Sequence, residues 1–494
     1  MSGSVETVAP SARPEPPENG RHRASAVRRY RRARTLAGAL VVTLLGAAVP
    51  GAGFLWMRRR IGYVVLVPFV AGLAALGYYA RSLHRLVDFA FDPTRLRIAA
   101  VVIGVCLALW ALVVVGTYLF ARPKAMSRLE QVLGALVVTL LCILVGLPAV
   151  QGVRIATSQA DFVAKVFNDE DTATTPTGVT EEDPWAGEDR VNVLLLGGDG
   201  GVGRIGIRTD SVILLSMDTR TGRSVMFSLP RNMMNAQFPA DSPLHTVFPD
   251  GFRSTDPNAD AGNWMLNAVY SQVPALYPHI LGDSENEGAD AIKQAVAGSL
   301  GTHVDYYLLI NLDGFKQLVD AIGGVTVNIN EPIAINGNTD AGIPPTGYLE
   351  PGPDQHLDGF HALWYSRGRW GSDDYQRMLR QRCMVNAIVD AADPLNVLRR
   401  YQDLAKAGQE ILRTDIPRKL MPAFVDLALK VKEKKMKSVA FISSDKFFSG
   451  DPDYAWMQSV VARATAPHHG GGGGQDDAGK AVTVSDACGY HPVS

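Results

Sequence analysis

The sequence predicts a three-layer α/β domain preceded by a multi-span α-helical membrane region. Two observations carry this prediction. Four apolar runs, each near the roughly 20 residues that cross a bilayer, lie within residues 36–153. After about residue 190, short β-branched runs alternate with amphipathic stretches, as strands and helices do in layered α/β folds. Composition agrees, since 47% of the residues are hydrophobic and only 20% are charged.

The four apolar runs set the topology of the membrane region. They cover residues 36–56, 61–80, 98–120 and 132–153. The first contains Pro50, Gly51 and Gly53 and is followed by three arginines, so we expect a broken or re-entrant element rather than a span. Three spans with the basic N-terminus inside place the chain after about residue 154 outside the cytoplasm. Four full spans, which would leave that part in the cytoplasm, are the alternative.

These features divide the chain into five parts. We expect a disordered basic N-terminus (1–35), the transmembrane region (36–153), a polar and acidic linker (154–189), the α/β domain (190–467) and a flexible tail (468–494). The tail is assigned from its run of five glycines.

Within the domain, apolar periodicity predicts the individual elements. Strands are expected over residues 191–196, 209–217, 224–229, 306–311, 325–329 and 438–442. Helices are expected over residues 290–300, 312–322, 374–392 and 422–435. Gly323 and Gly324 end the second helix, and Pro422 is tolerated in the first turn of the last.

The four cysteines fall into two pairs. Cys106 and Cys142 lie in apolar runs and are expected to pack as small apolar residues. Cys383 and Cys488 lie beyond the membrane region. They can form a disulfide if that part is exported, and two free thiols are the alternative. No Cys/His cluster predicts a metal site built on sulfur.

Residues 365–382 (YSRGRWGSDDYQRMLRQR) combine five arginines with two aspartates in a chain of net charge −1. Guanidinium matches the forked oxygens of phosphate. Arg367 and Arg369 share a face if the chain there is extended, and Arg377 and Gln381 share a face of a helix that one of the aspartates caps. We expect Arg380 to be structural and Arg382 to lie on the surface. A solvated charged helix is the alternative.

Three charged residues follow or begin predicted strands, where open α/β sheets bind ligands. They are Asp199 in LLLGGDGG, Asp210 in RTDSVILL and Arg231 in SLPRN. Two carboxylates suit Mg²⁺, which typically shares its coordination with substrate phosphates. The glycines of GVGRIG also satisfy GxGxxG, but a β-branched run follows instead of a helix, which argues against a dinucleotide site.

The sequence from about residue 191 to residue 393 contains six ordered motifs. They are NVLLLGGDGG, RTDSVILLSMD, SLPRN, LNAVYS, VDYYLLINLDGFKQLVDAIGGVTVNI and LDGFHALWYSRGRWGSDDYQRMLRQR. In this order the sequence resembles the LytR-CpsA-Psr (LCP) family of membrane-anchored cell-wall ligases. The resemblance implies a single extracytoplasmic LCP domain of α/β fold with a hydrophobic pocket for a polyprenyl tail. It also implies an Mg²⁺-dependent phosphotransferase that moves a glycopolymer from a polyprenyl-diphosphate carrier onto peptidoglycan.

The resemblance also implies roles for individual residues. The implied Mg²⁺ ligands are Asp199 and Asp210. The implied diphosphate ligands are Arg208, Arg231, Arg367, Arg369 and Arg377, with Gln381 as a polar partner and Asp374 orienting the arginines. Members of the family often have lysine where this chain has Met265, which removes one positive charge.

The implied partners are the polyprenyl-diphosphate-linked glycopolymer, peptidoglycan and membrane lipid. Nucleic acid is not expected, because no helix-turn-helix pattern is present and the basic N-terminus is short. Two other functions remain open from the sequence. One is a polyprenyl-diphosphate pyrophosphatase, which would use water as acceptor. The other is a non-catalytic regulator or scaffold of envelope synthesis.

Overall fold

The computed structural model describes residues 31–167, 172–198, 208–337, 342–392, 412–466 and 481–491. Three sequence-based expectations concern residues outside these ranges. They are the disorder of residues 1–30, the glycine-rich loop after residue 200 and the role of Asp199.

Six helices lie within the described residues 31–167. They are α1 (Leu36–Ala48), α2 (Ala52–Trp56), α3 (Ile61–Ala80), α4 (Leu83–Ala90), α5 (Pro93–Ala121) and α6 (Arg128–Val166). The first apolar run is broken between α1 and α2, where Gly51 has a φ of 98°. Among the described residues, three helices are long and apolar enough to cross a membrane: Ile61–Ala80, Pro93–Ala121 and Arg128–Ala164. Helix α6 runs past residue 154, where the linker was expected to begin.

The remaining described residues form an α/β domain. Its strands are β1 (Arg190–Gly198), β2 (Thr209–Asp218), β3 (Ser224–Leu229), β4 (Tyr306–Asn311), β5 (Val325–Ile329), β6 (Ile333–Ile335), β7 (Gly347–Leu349), β8 (Gly352–Leu357), β9 (Leu412–Thr414), β10 (Lys437–Ala440) and β11 (Val482–Thr483). Its helices are α7 (Pro243–Val247), α8 (Leu266–Leu276), α9 (Glu287–Leu300), α10 (Leu312–Ile322), α11 (Gly359–Arg367), α12 (Asp374–Ala391), α13 (Met421–Lys432), α14 (Tyr454–Thr465) and α15 (Val484–Ala487).

Seven strands form one mixed sheet in the order β11-β10-β3-β2-β1-β4-β9. Strand β1 lies near its centre, antiparallel to β2 and parallel to β4. Two smaller two-stranded sheets pair β5 with β8 and β6 with β7. The mixed sheet and its helices agree with the predicted fold class.

Alternating side chains of β1 separate two cores, as the two-residue period of a strand requires. Leu194 and Leu196 point to one face, where they pack in a cluster with residues of α8, α9 and α14. Val191 and Val193 point to the other, in a cluster with Leu427 of α13 and further residues of α12 and α15. Helices on both faces of the sheet give the three layers that the sequence predicts.

The C-terminal segment differs from the expected flexible tail. Residues 481–491 are ordered against the domain: β11 pairs antiparallel with β10, and Cys488 forms a disulfide with Cys383 of α12, with the two Cα atoms 5.7 Å apart. The prediction was therefore wrong for this segment. A two-residue strand is too short to give a hydrophobic period, and the glycine run before it suggested flexibility.

Candidate active site

The sheet brings Asp210 and Arg231 together. Antiparallel pairing sets Val212 opposite Leu229, so the start of β2 lies beside the end of β3. Asp210 is the second residue of β2, and Arg231 follows β3 by two positions. Arg231 Nη1 lies 2.6 Å from Asp210 Oδ1. Both residues thus lie at the ends of neighbouring strands, and the sheet brings them into contact.

Helix α12 adds a carboxylate and a guanidinium to this pair. Asp373 caps the helix by accepting a hydrogen bond from the Gln376 amide at 2.7 Å, which leaves Asp374 in the first turn. Arg231 Nε lies 3.1 Å from Asp374 Oδ2, and Arg377 Nη1 lies 3.3 Å from Asp374 Oδ1. Arg377 Nη2 also donates to the Asp210 carbonyl oxygen at 3.3 Å. Asp374 thus bridges two arginines.

The end of α11 and the loop that follows it supply two more arginines. Arg369 Nη2 lies 3.6 Å from Asp210 Oδ1, and its Nε lies 3.9 Å from Asp374 Oδ1. Arg367 is the last residue of α11, and its guanidinium carbon lies 5.7 Å from the centre of the Trp364 ring. The extended conformation considered for this pair was wrong, because a helix capped by Asp358 continues through Arg367.

We call these six residues the arginine–aspartate cluster: Asp210, Arg231, Arg367, Arg369, Asp374 and Arg377. Four guanidiniums against two carboxylates leave a formal charge of +2. The Arg377 side chain is only 2% exposed, whereas the Arg369 side chain is 36% exposed. Nε of Arg377 is buried without a hydrogen-bond partner among the described residues. The cluster therefore combines excess positive charge with unused donor capacity, which suits a polyanion.

The ionisation of the cluster follows from burial and charge together. Burial lowers the pKa of Arg377 to about 10, against the opposing influence of Asp374, so this guanidinium is still charged at neutral pH. Burial alone would raise the pKa of Asp374, but the charges of Arg377 and Arg231 outweigh it and the pKa is lowered. Likewise the pKa of Arg231 is raised, because Asp210 and Asp374 outweigh the effect of burial. All three groups are ionised at neutral pH.

An apolar cavity of about 320 Å³ opens beside the cluster. It lies between one face of the large sheet and helices α10, α11 and α12. Its walls are lined by Leu195, Ile213, Leu215, Leu308, Ile310, Phe315, Leu318, Leu363, Met384, Val385, Ile388 and Val389. Its polar lining includes Asp210, Arg367, Arg377 and Gln381. The arrangement fits a molecule with a long apolar part and an anionic head.

Two other residues predicted for the site, Gln381 and Arg208, lie in different places from each other. Gln381 lines the cavity one helical turn after Arg377, as their spacing predicted, and its Nε2 donates to the Ser366 carbonyl oxygen at 3.3 Å. Arg208 is exposed and donates to Asn263 Oδ1 at 3.0 Å, in the segment before α8. The described contacts therefore place Gln381 in the cavity and Arg208 beside that segment.

The last two arginines of the motif are both buried. Arg380 contacts Gly368, Ser372 and Glu331, which agrees with a structural role. Arg382, expected on the surface, is only 9% exposed, and its Nη1 donates to Ser438 Oγ at 3.4 Å. That expectation was wrong because α12 packs against both the cavity and the strand layer, which leaves little of its circumference in solvent.

Comparison with known proteins places this architecture in a family. The model of the LytR_cpsA_psr family matches residues 156–465, which is more than half of the chain. The chain belongs to this family. Two of its curated relatives are Biofilm regulatory protein A of Streptococcus mutans, 28% identical over 262 residues, and the polyisoprenyl-teichoic acid–peptidoglycan teichoic acid transferase TagU of Oceanobacillus iheyensis, 30% identical over 224 residues.

These matches cover parts of each protein. They include 51% and 43% of this chain, and 55% and 57% of the respective relatives, so the chain spans a little over half the length of the curated relatives it matches. Among solved structures, the crystal structure of B. subtilis TagV is 21% identical, with a TM-score of 0.39, and the match covers 62% of this chain and 99% of that one.

The sequence analysis did not identify the individual residues that line the cavity walls, although the family resemblance implied a pocket. A signal for them exists in α12 of this LytR_cpsA_psr domain. Arg377, Gln381, Met384, Val385 and Ile388 recur at spacings of three and four and all line the cavity. Read as one helical face, that pattern changes from charged to apolar along the helix and so predicts a polar mouth with an apolar interior.

Proposed function

We propose that this protein is a membrane-anchored phosphotransferase that moves a glycopolymer from a polyprenyl-diphosphate carrier onto peptidoglycan. One observation carries the proposal: an apolar cavity lies directly beside a cluster of net positive charge. A polyprenyl diphosphate has the same two parts in the same order. The relative TagU, a polyisoprenyl-teichoic acid–peptidoglycan teichoic acid transferase, supports the same class of substrate.

The prenyl tail would occupy the cavity, and the diphosphate would lie among the arginines. The formal charge of +2 on the cluster balances the two negative charges of a diphosphate diester. Arg377 and Arg231 are held by Asp374 at 3.3 and 3.1 Å, so their donors are fixed before substrate arrives. Such preorganised charge is what phosphoryl transfer requires most.

The reaction exchanges one phosphorus–oxygen bond for another. A hydroxyl oxygen of peptidoglycan attacks the phosphorus that carries the glycopolymer, and a new phosphoester bond forms. The bond from this phosphorus to the bridging oxygen breaks, and its electron pair leaves with the polyprenyl phosphate. The hydroxyl proton is released. The cluster arginines would offset the charge that grows on the bridging oxygen and on the leaving phosphate.

We include Mg²⁺ in the proposal because the donors suit it. Asp210 presents a carboxylate at the cavity, and Mg²⁺ is commonly held by one or two carboxylates together with substrate phosphates. Asp210 would hold the ion, with Asp199 as the second proposed ligand. When bound, the ion supplies further charge neutralisation at the diphosphate. Within the described residues, no group of three or more His, Cys, Asp or Glu forms a protein-only metal site.

We further propose that the α/β domain lies outside the cytoplasm. Three spanning helices with arginines 58–60 inside would lead to this orientation. The Cys383–Cys488 disulfide supports it, because disulfides persist mainly in oxidising compartments. A cysteine introduced in the α/β domain of a variant without its native cysteines should react with a membrane-impermeant thiol reagent on intact cells.

A transfer assay tests the proposed reaction. Full-length protein in lipid nanodiscs is incubated with Mg²⁺, a polyprenyl-diphosphate-linked sugar and a peptidoglycan oligomer. Attachment of the sugar phosphate to the oligomer is the expected result. Release of the sugar phosphate into water without attachment would instead identify a pyrophosphatase, and the absence of both products would favour a regulator or scaffold.

A further inference from the structure

We propose that Arg380 is a positioning residue for Arg369. It acts by fixing the loop of residues 368–373, which joins α11 to α12 and carries Arg369 to the arginine–aspartate cluster. The expected effect of Arg380 on transfer kinetics rests on the proposed function. Its expected effect on the order of residues 368–373 does not. Arg380 is not a member of the cluster, and its described contacts are with Gly368, Ser372 and Glu331.

The guanidinium of Arg380 holds both ends of the loop. Its Nη2 donates to the carbonyl oxygen of Gly368, at the start of the loop, and its Nη1 lies 3.4 Å from Ser372 Oγ, near the end. The side chain is only 10% exposed, and Glu331 Oε1 lies 3.6 Å from Nη1. The planar guanidinium directs separate nitrogens to the two acceptors in a fixed geometry, which the single nitrogen of an ammonium does not reproduce.

The backbone of the loop is restricted to few conformations by its two glycines and by an internal hydrogen bond. A Cβ on Gly368 would lie 2.8 Å from the Ala334 carbonyl oxygen, and Gly371 has a φ of 75°. The Ser372 amide also donates to the Arg369 carbonyl oxygen at 2.8 Å. The loop is therefore a tight turn whose two ends are held by one side chain, and Arg369 is the first residue of that turn.

The contacts of Arg369 itself are too long to hold it in place. Its nitrogens lie 3.6 Å from Asp210 and 3.9 Å from Asp374, and its side chain is 36% exposed. Long, partly exposed ion pairs contribute little. Hydrogen bonds from a buried charged donor are considerably stronger. The position of Arg369 therefore depends more on the loop, and hence on Arg380, than on its own partners.

The chain offers a matched control in Arg382. It lies on the same helix, is 9% exposed like Arg380, and donates from Nη1 at 3.4 Å to a serine hydroxyl. That serine is Ser438 on β10, away from the loop. Arg382→Lys therefore imposes the same loss of a buried guanidinium fork, at a residue whose described hydrogen bond is to β10 and not to residues 368–373.

The experiment compares wild-type full-length protein with Arg380→Lys and Arg382→Lys. Hydrogen–deuterium exchange measures the loop amides without any substrate, so this readout survives even if the protein proves inactive. We expect faster exchange at residues 368–373 in Arg380→Lys and wild-type exchange there in Arg382→Lys. Equal protection of the loop in both variants and the wild type would overturn the inference.

Transfer kinetics give the second readout. For Arg380→Lys we expect kcat to fall by about 10- to 100-fold, the usual scale for a misplaced group. KM for the tail-bearing donor should change less than about threefold, because the cavity and Arg377 are intact.

Adding Arg369→Ala to Arg380→Lys should lower kcat little further, since both substitutions act through the guanidinium of Arg369. If the fold losses in kcat of the two single variants multiply in the double variant, Arg380 has only a general packing role. An equal loss of kcat in Arg382→Lys would lead to the same conclusion. An inactive wild type would contradict the proposed function and leave the exchange result to decide this inference.

Discussion

Replacing Arg377 with alanine removes the most buried charge of the arginine–aspartate cluster. Asp374 lies 3.3 Å away, so with an effective dielectric constant of about 20 the attraction is about 5 kcal/mol before desolvation. The cost of burying the guanidinium offsets much of this. Asp374 keeps Arg231 at 3.1 Å, so we expect a net loss of about 2–3 kcal/mol in the free energy of unfolding.

The effect of Arg377→Ala on transfer should be larger than its effect on stability. The guanidinium lines the cavity at the position proposed for the diphosphate. Removing one preorganised donor to a developing charge costs about 2.7–4 kcal/mol in the transition state, which is a fall of about 100- to 1000-fold in kcat. Arg367→Ala, whose side chain is less buried, should reduce transfer with a smaller loss of stability.

Two measurements on full-length protein separate these effects. Urea unfolding gives the free energy, and transfer from a polyprenyl-diphosphate-linked sugar to a peptidoglycan oligomer gives the rate at a temperature where the variant is folded. Arg382→Ala is the control, because it removes a buried guanidinium of the same helix away from the cavity. It should lose stability but keep its rate. Turnover of Arg377→Ala within about twofold of wild type, or an equal rate loss in Arg382→Ala, would refute the reasoning.

Three further perturbations test other parts of the structure. Ile388→Trp fills part of the cavity and should raise KM about tenfold for a long-chain donor, while equal effects on a short-chain donor would argue against a tail site. Cys488→Ser removes the disulfide to Cys383 and should cost about 2–5 kcal/mol in urea unfolding; an unchanged unfolding midpoint would contradict this. The lowered pKa of Asp374 means that its stabilisation is complete above its unfolded pKa of about 3.9 and is lost as pH falls through its lower folded pKa. Wild type should therefore lose more stability than Asp374→Asn between about pH 6 and pH 3, and parallel losses would disprove this assignment.

Much of the domain was predictable because its strands and helices have clear periods. Strands β3 and β4 and helix α10 have the bounds that the sequence predicts. The Asp210–Arg231 contact was also foreseeable, since both residues lie at strand ends. Strand β3 is an apolar run buried at every position and α10 buries one amphipathic face, so both leave a clear apolar pattern in the sequence.

Other features depend on tertiary packing that a local pattern does not encode. The extended conformation considered for Arg367 failed because the cap at Asp358 starts a helix that only Gly368 ends. The burial of Arg382 depends on β10, which is 56 residues away in the chain. Strand β11 has two residues and is recognisable only once β10 and the disulfide are in place.

A structure of the protein with a short prenyl diphosphate, such as geranylgeranyl diphosphate, tests most directly whether the cavity and the cluster form one substrate site. We expect the prenyl chain between Leu308, Phe315 and Val385, and the diphosphate within hydrogen-bonding distance of Arg231 and Arg377. A prenyl chain outside the cavity, or a diphosphate bound away from these arginines, would contradict the proposed site.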